Sequence, residues 1–292
     1  MKTLFLTGPV SLSMVTEGLK IREGDVSRVV SPPYLPYDAI VVQNAFGYVS
    51  WAALRILLSL RIAVVMLDYQ GSVLGHMSPY ARRDGDLRAR QLRASADPKK
   101  RLSIARSIVQ RGYRRRGSYV NVGAASTVKE LMRLEAEGAE RHWVRWKQRL
   151  ASVWPDHDFD GRDNPRYRAR FRAVTRTNAV LNYSYALLES AARTTIHRVG
   201  LLPDIGFLHV QTQPRKEPLV YDFMELGRGW VDDAVLDWFK KPANRDRKAF
   251  KRSAEWVVRL TPEKARELVQ HVSPRIRTET LWHDARDILR RF

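Results

Sequence analysis

Two carboxylates, Asp222 and Glu225, stand three residues apart in the otherwise apolar stretch 218–225. In a helix, this spacing places both acids on one face. Burying two carboxylates among large apolar side chains costs free energy unless a cation or a base neutralises them. The pair therefore indicates a site for a cation or a proton, although an Asp helix cap followed by a solvated Glu would show the same spacing.

Two further side chains are candidates for the same chemistry. His209 follows a Gly- and Pro-containing break and is expected at the edge of a helical core. Glu135 lies four residues after Leu131 and four before Ala139, which places it on the apolar stripe of its predicted helix. Carboxylates bind hard cations such as Mg²⁺ and Mn²⁺, which neutralise phosphate and activate an attacking oxygen. A structural ion pair between Glu135 and an arginine is the alternative.

Several other chemistries are excluded by composition. The chain has no cysteine, so it has no disulfide, no thiol nucleophile and no cysteine-bound metal. No glycine-rich phosphate loop follows a predicted strand, and no Gly-x-Ser-x-Gly motif is present. Carboxylates and histidines in a basic setting are left, and this mixture is typical of enzymes that act on phosphodiesters.

The positive charge is concentrated in one part of the chain. The 292 residues carry 51 Lys and Arg against 31 Asp and Glu, a net charge of +20. Residues 1–80 are nearly neutral, with 6 basic and 5 acidic side chains, whereas residues 81–292 hold 45 and 26. This asymmetry predicts two domains, 1–80 and 81–292, of which the second binds a polyanion such as nucleic acid. A merely solvated basic surface is the alternative.

The elements that must position these side chains differ between the two halves. Short β-branched runs and turn residues in the first half predict a small sheet or sandwich with one short helix on its edge. Its predicted elements are strands over Thr3–Thr7, Ala39–Gln43 and 62–67, a helix over 51–60 capped by Ser50, and a hairpin return over 72–76.

Helical periodicity dominates the second half. The fold class is therefore predicted as α+β, a small N-terminal β domain followed by a larger all-α domain. The longest apolar run, 57–67, is too short to span a bilayer and is interrupted by Arg61, and we expect a cytoplasmic protein. The predicted helices cover 86–96, 98–113, 128–150, 174–198, 231–239, 249–260, 262–271 and 278–291, with a loop over 156–167.

Basic side chains on both sides of the acids are candidates for binding DNA. They are expected to contact phosphates and to position the duplex without reading its sequence. In 166–172, Tyr167 and Phe171 interleave with arginines, as in proteins that stack on frayed strands, although an i, i+4 aromatic pair in a core is equally ordinary. The DNA-binding candidates are Arg82, Arg83, Arg114, Arg115, Arg162, Arg166 and Arg170.

Several of these motifs together resemble the CRISPR-associated spacer-acquisition integrases, a family of metal-dependent DNA endonucleases. The similarity extends over roughly residues 1–239, and the helices after about residue 242 lie outside it. The residues that carry the resemblance are Leu134-Glu135-Ala136 with His142-Trp143, Asn178-Ala179, Tyr183-Ser184-Tyr185, Pro203, 205–209, 219–222, Glu225 and Val231-Asp232.

The resemblance implies that Glu135, His209, Asp222 and Glu225 are the catalytic residues and hold Mg²⁺ or Mn²⁺. It implies strand transfer, in which the 3′-OH of a short duplex attacks a phosphodiester of target DNA. Tyr185, on the predicted central helix, is a further DNA-binding candidate near the site, and a role in the core is the alternative. The resemblance also implies a homodimer formed through residues 1–80 and a smaller CRISPR-associated partner protein. Two alternatives stay open: an integrase of a mobile element or outside a CRISPR array, and a non-enzymatic DNA-binding protein.

Overall fold

The computed structural model describes residues 3–32, 35–43, 46–68, 73–77, 85–162, 173–210, 217–252 and 257–292. Within these ranges the first 77 residues are rich in strands and the remainder is dominated by helices, which confirms the predicted α+β class. In the same ranges, no helix combines the length and the apolar character needed to cross a membrane. The boundary predicted near residue 80 falls among residues 78–84, which lie outside the described ranges, and it stays a prediction.

The first sheet has the strand order β1-β5-β7-β8 within the described residues. Strands β1 (Thr3–Thr7), β5 (Ala39–Gln43) and β7 (Ala63–Leu67) are parallel, and β8 (Val73–Met77) returns antiparallel to β7. These are the strands and the hairpin return that the sequence predicts; the predicted turn at 69–72 lies outside the described residues.

The second sheet has the order β4-β3-β2-β6 within the described residues. Strands β2 (Val10–Val15), β3 (Gly18–Glu23) and β4 (Val26–Val30) form an antiparallel meander, and β6 (Gly47–Val49) pairs in parallel with β2. The sequence analysis did not identify these strands. Their signal is the alternation of apolar residues with serine in β2, a period of two that is short and easily overlooked.

Helix α1 (Trp51–Ser59) begins after Ser50, whose hydroxyl accepts a hydrogen bond from the Ala53 amide at 3.1 Å, as predicted. Its buried Ala53 and Leu57 share one core with both sheets. The other face of the first sheet contributes Val41 and Val65 to the helical core. The first sheet therefore packs against a hydrophobic core on each of its two faces.

The helices of the second half largely follow the predicted ranges. The predicted helix 231–239 is the final part of a longer helix, which also carries Asp222 and Glu225. The helices are α2 (Gly85–Ala96), α3 (Pro98–Arg115), α4 (Val128–Val153), α5 (Arg176–Val199), α6 (Pro218–Trp238), α7 (Pro262–Val272) and α8 (Thr278–Leu289).

The helix predicted over 249–260 is wrong. The described residues there form an antiparallel hairpin of β9 (Phe250–Arg252) and β10 (Val258–Leu260). A tertiary contact stabilises it, because the Val258 amide donates to the Ala173 carbonyl at 2.8 Å just before α5. The larger domain is consequently not purely helical. The apolar periodicity of 249–260 favours a helix locally, but the pairing of β9 with β10 determines the structure that forms.

Helices α3 and α6 cross at a very short distance because each contributes a glycine to the crossing. A Cβ on Gly112 would lie 2.6 Å from the Glu225 carbonyl oxygen, and a Cβ on Gly229 would lie 2.6 Å from that of Arg115. Only a residue without a side chain permits this approach. The crossing brings the end of α3 alongside Glu225.

We expect Gly112→Ala to destabilise the protein by about 1–3 kcal/mol, the usual cost of overpacking a rigid contact. Alanine otherwise favours a helix over glycine by about 1 kcal/mol, so the sign of the change is diagnostic. Gly85→Ala is the matched control, because a Cβ there meets nothing within 4 Å. Urea unfolding of both variants checks this, and a Gly112→Ala protein as stable as Gly85→Ala would contradict the close crossing.

Candidate active site

Asp222 is completely buried on α6, and its hydrogen bonds hold the loop 207–209 against that helix. One carboxylate oxygen accepts the amides of Phe207 at 2.6 Å and Leu208 at 3.1 Å. The other contacts the His209 amide at 2.9 Å and the His209 Nδ1 at 2.8 Å. Both oxygens are thus occupied within the protein, and the imidazole is oriented by its Nδ1.

His209 presents its remaining nitrogen, Nε2, for other contacts, and its side chain is 33% exposed. Burial alone would lower the pKa of His209. The hydrogen bond to Asp222 and the negative charges of Asp222 and Glu225 outweigh burial and raise that pKa above its ordinary value. A carboxylate on one imidazole nitrogen is also the usual support for a histidine that binds a metal through the other.

Glu225 is held between two arginines. Its carboxylate oxygens lie 3.0 Å from Nη2 of Arg116, at the end of α3, and 2.8 Å from Nη2 of Arg228, one helical turn further along α6. Burial favours the neutral acid, but the two guanidinium groups outweigh it and hold the pKa of Glu225 below its ordinary value. Glu225 is therefore ionised although only 6% of its side chain is exposed.

Glu135 on α4 faces the same region. The Tyr113 hydroxyl of α3 donates to the Glu135 carbonyl oxygen at 2.7 Å and lies 3.2 Å from its Oε1. Burial and the negative charge of Glu225 raise the pKa of Glu135. Two carboxylates that repel each other in a partly buried site favour a proton or a cation between them.

A third buried acid of α6, Asp232, lies further along the helix. It accepts a hydrogen bond from the Tyr185 hydroxyl and lies 2.8 Å from Nε2 of His142. The guanidinium groups of Arg162 and Arg228 lie over the Tyr185 ring, 5.3 and 5.6 Å from its centre. Tyr185 is therefore buried, and its hydroxyl is engaged by Asp232.

Glu135, His209 and Glu225 have the donor types of a site for a hard divalent cation, and the charge of Glu225 acts on both of the others. In the part of the chain that the structure describes, no three His, Asp or Glu side chains already surround a common point that could hold a metal ion. Arg116 and Arg228 already occupy the Glu225 carboxylate. The donor set fits a cation chemically, and a cation must compete with these arginines for Glu225.

Of the predicted DNA-binding arginines, Arg114, Arg115 and Arg162 lie within the described residues. Arg114 is exposed, whereas Arg115 binds both oxygens of Asp284 on α8 at 2.7 and 3.0 Å. Arg162 donates to the Asn178 side chain at 2.9 Å. Arg82, Arg83, Arg166 and Arg170, together with Tyr167 and Phe171, lie outside the described residues.

The C-terminal helix α8 supports the site from behind. Arg115, which Asp284 holds, also donates to the Leu226 carbonyl at 3.0 Å, next to Glu225. The Phe292 ring lies 5.6 Å from the ring of Phe207, in the loop that carries His209. The C-terminal segment, which lies beyond the resemblance predicted from the sequence, thus contacts both α6, which carries Glu225, and the loop 207–209, which carries His209.

Sequence reasoning missed Arg116, Arg228, Tyr113 and the role of Asp232. Arg228 had a usable signal, because an arginine three residues after Glu225 lies on the same helical face. Arg116 and Tyr113 had none, since their partners are more than 20 residues away in the chain.

Comparison with known proteins agrees with this fold and arrangement. A sequence profile described as CRISPR associated protein Cas1 matches residues 4–120 and 114–273. The CRISPR-associated endonuclease Cas1 2 of Pyrobaculum aerophilum is 31% identical over 242 residues, which cover 75% of this chain and 76% of that protein.

Solved structures agree as well. A casposase bound to its integration product superposes with a TM-score of 0.86 at 24% identity, covering 99% of this chain and 90% of that one. A chain of a Cas6-RT-Cas1–Cas2 complex gives 0.77 at 17% identity, covering 99% of this chain and 34% of that one. The fold is thus that of a two-part α+β protein with a helical body built around a buried acid and histidine group. This chain belongs to the Cas1 family, and the resemblance predicted from the sequence is confirmed.

Proposed function

We propose that this protein is a metal-dependent DNA endonuclease and integrase of CRISPR adaptation. It joins the 3′-OH ends of short duplex DNA to phosphodiesters of target DNA. The observation that carries the proposal is that the buried Glu225 carboxylate acts electrostatically on both Glu135 and His209 inside a strongly basic helical body. Two similarities support it: the relatives are CRISPR-associated endonucleases, and the similar casposase is bound to an integration product.

Mg²⁺ or Mn²⁺ would be held by Glu135, His209 and Glu225. Asp222 was predicted as a fourth ligand; because both its oxygens already accept hydrogen bonds, we assign it the task of orienting His209. A bound cation would act as a Lewis acid and stabilise the pentacoordinate phosphorus of the transition state. Arg116 and Arg228 keep Glu225 ionised and bring to the pocket the positive charge that a phosphodiester needs.

The reaction exchanges one phosphodiester bond for another. The 3′-oxygen of the incoming strand bonds to the phosphorus, the existing P–O3′ bond breaks, and the departing oxygen takes up a proton. Because the number of phosphodiester bonds is unchanged, no nucleotide triphosphate is required, in keeping with the lack of a glycine-rich phosphate loop. Water in place of the 3′-OH gives nicking at the same site.

A homodimer through the N-terminal half is part of the proposal. Large apolar side chains are exposed there, on and beside the strands and at the start of α1, and a second copy would cover them. We also propose assembly with a smaller CRISPR-associated protein, as in the solved Cas1–Cas2 complex. The exposed side chains are Val26, Phe46, Tyr48, Trp51 and Leu74.

The proposal is tested by incubating the full-length protein with a labelled 3′-OH duplex, supercoiled plasmid and Mn²⁺ or Mg²⁺, with and without the smaller partner. Covalent joining is expected, and it should vanish with EDTA or with a 3′-dideoxy duplex. Joining that survives in His209→Ala would overturn the assigned site. If wild-type protein neither joins nor nicks DNA with either metal and the partner, it is a DNA-binding protein without catalysis.

The likeness to a casposase favours one second candidate, an integrase of a mobile element. The two functions differ in the target. A CRISPR integrase inserts at the boundary of a repeat array, so a plasmid with such an array should collect insertions there. Insertions that ignore the array would favour the mobile-element function.

A further inference from the structure

A basic pocket of about 450 Å³ opens where the β9–β10 hairpin meets the start of α5. Four cations line it: Arg176, Arg247, Lys251 and Arg252. Phe250 and Val258 give it an apolar floor. Positive charge above an apolar surface suits a nucleic-acid strand, which offers phosphates and base faces together.

The acid that lines this pocket, Asp158, does not neutralise it. Its carboxylate caps the start of α5, accepting the amide of Arg176 at 2.8 Å and the hydroxyl of Thr177 at 2.8 Å. It also pairs with the Arg176 side chain at 2.9 Å. Among the lining residues, Arg247 and Lys251 therefore add positive charge beyond the pair that Asp158 forms with Arg176.

The pocket is built in advance by contacts to the helical body. The Arg245 carbonyl accepts Nη1 of Arg176 at 2.6 Å, and the Arg245 side chain donates to the Val153 carbonyl at 2.6 Å. The Val258 amide bonds to Ala173. Since these residues are already ordered, a ligand would not have to meet the entropic cost of assembling the site.

A continuous line of cations connects the pocket to the candidate active site. Arg228, which pairs with Glu225, and Arg162 both lie over the Tyr185 ring. Arg162 also binds Asn178, close to Arg176 at the start of α5. Nine residues of helix separate Tyr185 from Arg176, about 13 Å at 1.5 Å per residue. That is the length of about four nucleotide steps at 3.4 Å per nucleotide.

We propose that this pocket binds the phosphate backbone of a DNA strand that leaves the active site, at least about four nucleotides from the reacting phosphate. The inference rests on the proposed function, because it assumes DNA at Glu225. It assigns a task to the β9–β10 hairpin. Binding there would extend the part of the strand that the protein contacts, without recognition of its sequence.

The test uses Arg247→Gln/Lys251→Gln in the full-length protein, with Arg277→Gln/Arg291→Gln as a control of equal charge on exposed positions of the α8 region. Binding of branched DNA is measured by fluorescence anisotropy without metal, with a flanking strand of two or eight nucleotides. The pocket variant should bind the eight-nucleotide arm about tenfold more weakly, with a salt slope reduced by about one to two. It should bind the two-nucleotide arm as wild type does.

An equal loss on both arms, or the same loss in the control, would overturn the pocket. Melting curves report whether each variant is folded. If the pocket variant is not, crosslinking of wild-type protein decides: a photoreactive nucleotide four positions from the branch should label the peptide holding residues 247–252, and labelling elsewhere contradicts the proposal. Because binding is measured without metal, a protein that fails to join DNA can still pass this test, so the two failures are distinguishable.

Discussion

Replacing Glu225 by glutamine is expected to abolish joining and nicking and to destabilise the protein. Glutamine keeps the shape of the side chain but removes the charge that Arg116 and Arg228 share. Leaving such buried cations without their acid typically costs about 3–5 kcal/mol, and the partial exposure of Arg228 favours the lower end. The substitution also removes one of the three donors proposed to hold a cation. Urea unfolding and the plasmid joining assay measure the two effects separately.

The matched control is Glu137→Gln on α4, whose carboxylate is half exposed and lies 3.9 Å from Arg133. An exposed pair of this kind contributes at most about 0.5 kcal/mol, so this variant should unfold and join DNA as wild type does. Retained joining by Glu225→Gln would remove Glu225 from the site. Unchanged stability would show that the two arginines do not depend on it.

Asp222→Asn is expected to be nearly as damaging, for a different reason. The buried carboxylate accepts three backbone amides and contacts the His209 imidazole, whereas an asparagine offers one acceptor oxygen and turns an NH₂ group toward donors. Unsatisfied buried groups cost about 1–3 kcal/mol each, so we expect a loss of about 3 kcal/mol. The loop 207–209 should detach from α6, and joining should fall with it.

Cation affinity separates a positioning role for Asp222 from direct ligation. If Asp222 acts through His209, titration of Mn²⁺ should show affinity weakened by about 10–100-fold in Asp222→Asn but still measurable. Complete loss of binding in folded protein would instead make Asp222 a ligand. Asp233→Asn is the control, because Asp233 lies on the same helix in an exposed pair with Arg149.

The acids and the histidine could be predicted because their signals are local or shared with a family. Asp222 and Glu225 are three apart in an apolar stretch, and β1 and β5 are compact β-branched runs at the predicted positions. The arginines that charge-balance Glu225 were not predictable together, since Arg116 is 109 residues away from it in the chain.

The hairpin at β9 and β10 shows the same limit for secondary structure. Its residues alternate basic and apolar types in a way that suits a helix or a strand, and the bond from Val258 to Ala173 decides between them. Similarly, the sequence does not distinguish Arg115 from the many arginines that are expected to be exposed. Only the tertiary fold reveals that Asp284 captures it.

The first sheet has a mechanical consequence for the molecule. Because Ile40 and Val64 face one core while Val41 and Val65 face the other, the two halves share packing across this sheet. We therefore expect their unfolding to be coupled. A fragment beginning after residue 80 would expose the apolar surface that the sheet now covers, and a force applied to the sheet would reach the helices that carry the acids through this packing.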